Sequence, residues 1–265
     1  MRRPGVFIGL FIVLLGAVLL AINLGYVSSR IWGFFWPALL VLMGAWILLA
    51  PKASDKPLAV EHATYSVGEA SEGEISFHYG AGVLHIADST TVGELAGGTF
   101  TGGVLADQSM RGSTAVLSLK FPSDRIIGGP WGSRGKAIEW VVGINPQLPL
   151  TLALHTGANE QILDLSRTQV KNLLLETGAS HSMITLPSAA GFTRATIKSG
   201  VADVNITVPE GVAAAIDVHA GLSGIKVNSE RFPKTGDHYQ SMDYLTAVNK
   251  VEIHVESGLG SVSIQ

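Results

Sequence analysis

The chain has 265 residues, of which 47% are hydrophobic and only 15% are charged, and its mean hydropathy of +0.35 exceeds that of an ordinary soluble domain. The formal net charge is −3 and no run of basic residues is longer than Arg2-Arg3. The chain therefore lacks the cluster of basic residues that is typical of a nucleic-acid-binding protein. The chain has no cysteine, so disulfides and thiolate metal ligands are excluded as well.

Two apolar segments without any charge begin the chain. One lies between Arg3 and Arg30 and the other between Arg30 and Lys52. Each is long enough for the roughly 20 residues that cross the hydrocarbon core as a helix. We therefore predict a transmembrane hairpin in residues 1–50, with spans at about 5–24 and 31–50. The alternative is a cleaved signal peptide, but the first run is long and a second span follows it.

Basic residues near these spans predict the orientation of the hairpin. Arg2, Arg3, Lys52 and Lys56 flank it on one side, and Arg30 stands alone on the other. Because cytoplasmic loops carry an excess of Lys and Arg, both termini of this multi-pass cell-membrane protein are predicted to be cytoplasmic.

Residues 51–60 are predicted to be a linker, and residues 61–265 carry a repeat centred on glycine. Apolar residues stand five and three positions before each glycine and six after it, and a polar residue stands two before it. This alternation predicts two short strands per copy, joined by a bend in which glycine supplies unusual backbone angles. The central glycines are Gly80, Gly157, Gly178, Gly200, Gly221 and Gly258.

The spacing of the glycines predicts how the copies stack. From Gly157 to Gly221 they are 21 or 22 residues apart, which is typical of a coil that returns to the same face at each turn. We predict an all-β domain built as a β-solenoid of about 21–22-residue rungs, with a β-sandwich as the alternative. Residues 87–149 are predicted to add irregular rungs or a capping sheet, and residues 228–249 to form a protruding loop.

The position two residues before each glycine is the most suggestive feature for a site. Stacked rungs would align these side chains about 4.8 Å apart, and a ladder of histidines and carboxylates could bind a metal ion or an anionic head group. The simpler interpretation is that this is the solvent-facing position of each strand, where any polar residue serves. The ladder residues are His78, His155, Glu176, Lys198, His219 and Glu256.

Two loops offer residues for contact with a partner. The glycine-rich segment 128–135 contains Trp131 and Arg134, and the second insertion contains Tyr239 and Tyr244. No set of nucleophile, base and orienting residue can be assigned, and neither GxSxG nor HExxH occurs. We therefore predict no catalytic residue, no metal site and no cofactor, and a protein that is not an enzyme.

Several segments resemble a known family. Gly9–Gly16 and Trp36–Gly44 resemble the membrane segment of the LiaI/LiaF-like proteins of the bacterial envelope. The stretch Asn145–Leu152, which runs on into Gly157-Ala158 and Gly178-Ala179, resembles the toast-rack β-domain that is often joined to that segment. The resemblance implies a bacterial cell-envelope protein of the type that responds to cell-wall-active antibiotics.

The resemblance also implies a function. LiaF-type members restrain a membrane histidine kinase of a two-component system. The expected function is a non-enzymatic regulator or sensor of cell-envelope stress, anchored in the lipid bilayer, whose partner is a histidine kinase or another envelope protein. The alternative is a structural or adhesion-like envelope binding module, in which the rungs provide a rigid surface.

Overall fold

The computed structural model describes most of the chain after residue 57. The chain divides into two units, Met1–Lys52 and Ala53–Gln265. The residues described are 37, 40 and 41, which are helical, and 58–89, 91, 93–122, 138–236 and 238–265. Within those ranges no helix is long and apolar enough to cross a bilayer. Apart from three helical positions, the predicted spans at about 5–24 and 31–50 lie outside the described residues.

The described part of the second unit is all β, which confirms the predicted class. Its strands belong to one sheet. They are β1 (Val60–Ser66), β2 (Glu72–Asp88), β3 (Glu94–Thr101), β4 (Leu105–Arg111), β5 (Thr114–Lys120), β6 (Glu139–Ile144), β7 (Leu150–Asp164), β8 (Val170–Thr185), β9 (Phe192–Thr207), β10 (Ala213–Val227), β11 (Lys234–Thr235), β12 (His238–Gln240) and β13 (Lys250–Ile264).

Six long strands, which we call rungs, each contain one copy of the repeat. They are parallel, with their central glycines in line, in the order β2, β7, β8, β9, β13, β10. A straight strand of the 15 residues in β7 would be about 50 Å long. Only residues 165–169 connect β7 to β8, and five residues reach about 20 Å at most. Each rung must therefore fold back near its glycine, which divides it into a first and a second arm.

Alternate side chains of the two arms form the core. In β7, Leu150, Leu152 and Leu154 of the first arm and Leu163 of the second arm are buried. Full burial of one such side chain contributes about 1.5–3 kcal/mol. The period-two pattern of apolar residues therefore fixes which face of each arm points inward.

The rung order differs from the chain order that a regular coil predicts. β13 lies between β9 and β10 and pairs in parallel with both. The segment 228–249, predicted to be a protruding loop, instead contains β11 and β12. It also buries Phe232, and β12 pairs with the first arm of β10 at Ala215 and Ile216. This segment therefore pairs with only two residues of the outer strand edge of β10, at the start of its first arm.

Two short strands take the place of a seventh rung at the opposite end. β5 pairs in parallel with the first arm of β2, and β6 pairs in parallel with its second arm. β3 pairs antiparallel with β6, and β4 pairs antiparallel with β5. β1 in turn pairs antiparallel with β3. The insertion 87–149 thus supplies both an irregular rung and a capping sheet, as the sequence predicts.

Candidate functional site

The central glycines form a line across the rungs, but not for the predicted reason. None of the six has a positive φ, and the glycines that do, such as Gly82 and Gly260, lie elsewhere. A Cβ on Gly178 would lie 3.1 Å from the carbonyl oxygen of Gly157, and one on Gly200 would lie 2.7 Å from that of Gly178. The prediction of unusual backbone angles is therefore wrong. At five of the six positions, all except Gly80, glycine is favoured because the carbonyl oxygen of the adjacent rung approaches too closely for a side chain.

All six ladder residues predicted from the sequence come together along this glycine line. They line an open groove of about 830 Å³, together with four of the six central glycines and the residues that immediately precede five of the six. Lys198 lies between Glu176 and Glu256, so opposite charges alternate in the middle of the ladder. The register pairs are His78 with His155, His155 with Glu176, Glu176 with Lys198, Lys198 with Glu256, and Glu256 with His219.

At one end of the groove, two histidines stand beside a lysine. The rings of His78 and His155 stack with their centroids 5.1 Å apart, and Lys120 lies opposite His78 in the register. Partial burial, together with the positive charges of His155 and Lys120, lowers the pKa of His78 from its ordinary value of 6.5. Nδ1 of His155 lies 3.0 Å from Oε2 of Glu176 and donates a hydrogen bond to it.

At the other end, four ionisable side chains form a square on β10 and β13. Asp217 and His219 alternate along β10, and His254 and Glu256 lie opposite them. Nε2 of His219 is 3.4 Å from Oδ1 of Asp217, and Nδ1 of His254 is 3.7 Å from Oδ2 of Asp217. Nε2 of His254 donates a 3.0 Å hydrogen bond to Oε1 of Glu256, and this bond, aided by the charge of Lys198, lowers the pKa of Glu256.

Sequence reasoning missed Asp217 and His254. Both stand four positions before a central glycine, on the same face as the ladder residues two positions later. A signal was present, because only these two copies carry ionisable residues at both positions. The other four copies have Ser76, Ala153, Leu174 and Thr196 there.

A column of hydroxyl groups was also missed. It consists of the residues immediately before four of the glycines, and all of them line the groove. Within the described ranges, the buried Oγ of Ser199 has no hydrogen-bond partner. The groove floor therefore keeps at least one unused polar group. The column is Thr156, Thr177, Ser199 and Ser257.

The tyrosines predicted as partner contacts are half-buried. The ring of Tyr239 packs against the core, and Nζ of Lys250 lies 5.5 Å from the centroid of the Tyr244 ring. Trp131 and Arg134, the other predicted contacts, lie outside the described residues. The well-exposed apolar side chains of the second insertion are Met242, Leu245 and Val248.

An exposed apolar strip lies immediately past the glycine line. Val201 stands opposite Leu259, and Leu259 stands opposite Leu222. Their exposed fractions are 55%, 45% and 83%, although the matching positions in β2, β7 and β8 are alanines. Contiguous exposed apolar residues are typical of an interaction surface.

The architecture matches a known family. The model for the N-terminal domain of toast_rack matches residues 54–207, which is more than half of the chain. The chain belongs to the toast_rack family. The LiaF transmembrane domain matches residues 7–99 of this toast_rack protein, a range that includes the second predicted span and nearly all of the first. It is therefore a LiaF-like membrane protein with a toast-rack domain, which confirms the resemblance.

Two solved structures resemble this toast_rack protein. A candidate cell adhesion protein from Clostridium sporogenes has a TM-score of 0.71 and 21% identity, covering 79% of this chain and 99% of its own. A candidate adhesin from Bacteroides fragilis has a TM-score of 0.23 and 10% identity, covering 82% of this chain and 100% of its own. The first likeness shows a shared fold, and the second is too weak for any argument. No curated protein matches the chain.

Proposed function

We propose that this protein is a membrane-anchored, non-enzymatic regulator or sensor of bacterial cell-envelope stress that binds a membrane signalling partner through its toast-rack domain. The observation that carries this proposal is the groove, in which each of six rungs contributes one ionisable side chain to a single ladder. Alternating charges at a fixed spacing determine which partner binds and in which register. They contribute more to this specificity than to the affinity of binding.

The apolar strip supports a protein partner. Val201, Leu259 and Leu222 lie exposed just past the glycine line, so a segment that enters the groove would also bury apolar surface. Protein interfaces combine such an apolar centre with a polar rim. The proposed partner, a histidine kinase or another envelope protein, is the one that the resemblance to LiaF-type proteins implies.

The anchor and the scaffold have separate roles in the proposal. The predicted hairpin holds the domain at the bilayer and contacts the partner's membrane helices, with both termini in the cytoplasm. The rungs act as a rigid β-solenoid that keeps the ladder side chains about 4.8 Å apart. The match to the LiaF transmembrane domain supports the anchor, and the basic residues around the predicted spans support the orientation.

The alternative is a structural or adhesion-like envelope module. Its support is the likeness to a protein called a candidate cell adhesion protein, which at 21% identity is a likeness of fold. Such a module would use the rungs as a rigid surface and would need no signalling partner. The two functions predict different results in cells.

Photo-crosslinking in living cells tests for the partner. A photoreactive amino acid replaces Lys198 in the groove or, as the matched control, the exposed Lys226 of β10. The full chain is produced in its own host at native levels. The proposal expects a membrane histidine kinase or other signalling protein to be captured from position 198 and not from position 226, with mass spectrometry as the readout.

A genetic experiment tests the regulation. Deleting the gene should change transcription of envelope-stress genes after addition of a cell-wall-active antibiotic. Lys198→Glu should reproduce the deletion because it places three negative charges in a row, whereas Lys226→Glu should behave like the wild type at equal membrane abundance. An unchanged response in the deletion strain would overturn the regulatory function and favour the structural module.

A further inference from the structure

Three potential metal ligands converge where β10 and β13 pair. One carboxylate oxygen of Asp217 and one ring nitrogen each of His219 and His254 lie within 4.8 Å of one another. From this convergence we propose that Asp217, His219 and His254 form a divalent-cation site, and that Zn²⁺ is the ion that fits it best.

The distances are compatible with tetrahedral coordination. Bonds of about 2.0–2.1 Å from Zn²⁺ to nitrogen and oxygen place neighbouring ligand atoms about 3.3 Å apart. Nε2 of His219 lies 3.4 Å from Oδ1 of Asp217, and Nδ1 of His254 lies 3.7 Å from Oδ2; with one ligand atom per residue, the three atoms lie within 4.8 Å of one another. Small rotations of exposed side chains would close the remaining gap. A set of two imidazoles and one carboxylate binds Zn²⁺ in preference to Mg²⁺ or Ca²⁺, which favour all-oxygen ligands.

Glu256 completes the site without binding the ion. His254 presents Nδ1 to Asp217, and its other nitrogen, Nε2, donates the 3.0 Å hydrogen bond to Glu256. Histidines that bind metals commonly donate their second ring N–H to a carboxylate, which fixes the ring orientation and makes the ligating nitrogen more basic.

The position of the site keeps it accessible. β12 pairs with β10 only at Ala215 and Ile216, so no described strand covers Asp217 and His219 on that side. The side chains of Asp217, His219 and His254 are 50%, 66% and 37% exposed. Three protein ligands leave one coordination position for water or for an anionic group of another molecule.

A bound ion would change the charge of the groove. His219 and Glu256 line the groove at the end formed by β10 and β13, and Lys198 is the next residue of the ladder. A divalent cation would change the summed formal charge of Asp217, Glu256 and Lys198 from −1 to +1, and its open coordination position would attract a carboxylate or phosphate. The inference does not depend on the proposed signalling function, because an ion can bind in either case.

Zinc titration tests the site directly. The full chain is purified in detergent, its affinity tag is removed, and residual metal is stripped with a chelator that is then dialysed away. Isothermal titration calorimetry and elemental analysis after gel filtration should show one Zn²⁺ per chain. Co²⁺ in the same site should give the intense visible absorption of a tetrahedral complex.

Variants separate this site from the other histidines. His254→Gln and Asp217→Asn should each abolish the bound Zn²⁺, and Glu256→Gln should weaken binding about 10–100-fold. His155→Gln is the matched control, because it also removes a histidine paired with a carboxylate at 3.0 Å, and it should leave binding unchanged. Circular dichroism confirms that each variant is folded.

Two results would overturn the inference. One is a wild-type chain that retains no Zn²⁺ after gel filtration. The other is a His155→Gln variant that loses as much bound metal as His254→Gln. If either His254→Gln or Asp217→Asn fails to fold, His219→Gln replaces it in the same comparison.

Discussion

The carbonyl oxygen of Gly200 lies 2.5 Å from the point that a Cβ on Gly258 would occupy. Gly258 belongs to β13 and Gly200 to β9, so this contact lies inside the stack, where neither backbone can move without disturbing its other neighbour. The requirement for glycine therefore arises from the neighbouring rung and not from the local chain.

Gly258→Ala should lower the free energy of unfolding by about 1–3 kcal/mol, because the added methyl group overpacks this contact. Gly80→Ala is the matched control, since Gly80 starts the line and nothing lies within 4 Å of its Cβ position. It should be neutral or stabilise by about 0.4–1 kcal/mol through the unfolded state. Chemical denaturation of the full chain in detergent, followed by circular dichroism, measures both. Equal losses would contradict the steric explanation.

Tyr79→Phe should destabilise the end of the stack near β6. The Tyr79 hydroxyl donates a 2.8 Å hydrogen bond to the carbonyl oxygen of Ile138, which immediately precedes β6, and burial raises the pKa of Tyr79. Loss of this bond should lower the free energy of unfolding by about 1–2 kcal/mol. In the described structure the Tyr65 hydroxyl has no hydrogen-bond partner. Tyr65→Phe should therefore change the free energy of unfolding little. Denaturation curves for both variants decide the matter.

His78 should make stability depend on pH. Its pKa is lower in the folded protein than the ordinary 6.5, so between these two values the unfolded chain binds more protons. The contribution of neutral His78 to the free energy of unfolding is therefore complete above pH 6.5. It is lost as the pH falls through the pKa of His78 in the folded protein. Melting temperatures of the full chain from pH 8 to pH 5 should show a shallower decline for His78→Gln. His181→Gln, at an exposed position in β8, should keep the wild-type slope.

A single cysteine should report the side of the membrane. Met242 is 95% exposed, and the chain has no cysteine, so Met242→Cys gives one accessible thiol. We expect protection from a membrane-impermeant maleimide in intact cells and labelling after lysis. Ser28→Cys, in the turn predicted between the spans, should show the reverse. Labelling of Met242→Cys in intact cells would place the toast-rack domain outside and refute the predicted orientation.

The repeat was readable from the sequence because burial imposes period two on each arm. The positions five and three before the glycine, such as Leu152 and Leu154, and the position six after it, such as Leu163, point into the core, and any polar substitution there would be costly. The same periodicity puts the position two before the glycine on the outer face. The ladder could therefore be predicted residue by residue.

The rung order could not be predicted in the same way. β9, β10 and β13 share the same pattern, so local sequence does not distinguish a stack in which β10 follows β9 from one in which β13 lies between them. The convergence of Asp217 and His254 was missed for the same reason, since it depends on β10 and β13 being neighbours. Spacing along the chain predicts periodicity, whereas neighbours in space are set by the packing of the whole domain.

The insertion of β13 between β9 and β10 has a consequence for how the polypeptide matures. β10 leaves the ribosome before β13, at a time when β9 is already available and has an equivalent arrangement of apolar residues. Direct pairing of β9 with β10 is therefore available as a competing arrangement during synthesis, and any such pairing would have to open before β13 could enter. A strand from a second copy could fill the same gap, so the late entry of β13 offers a route to domain swapping.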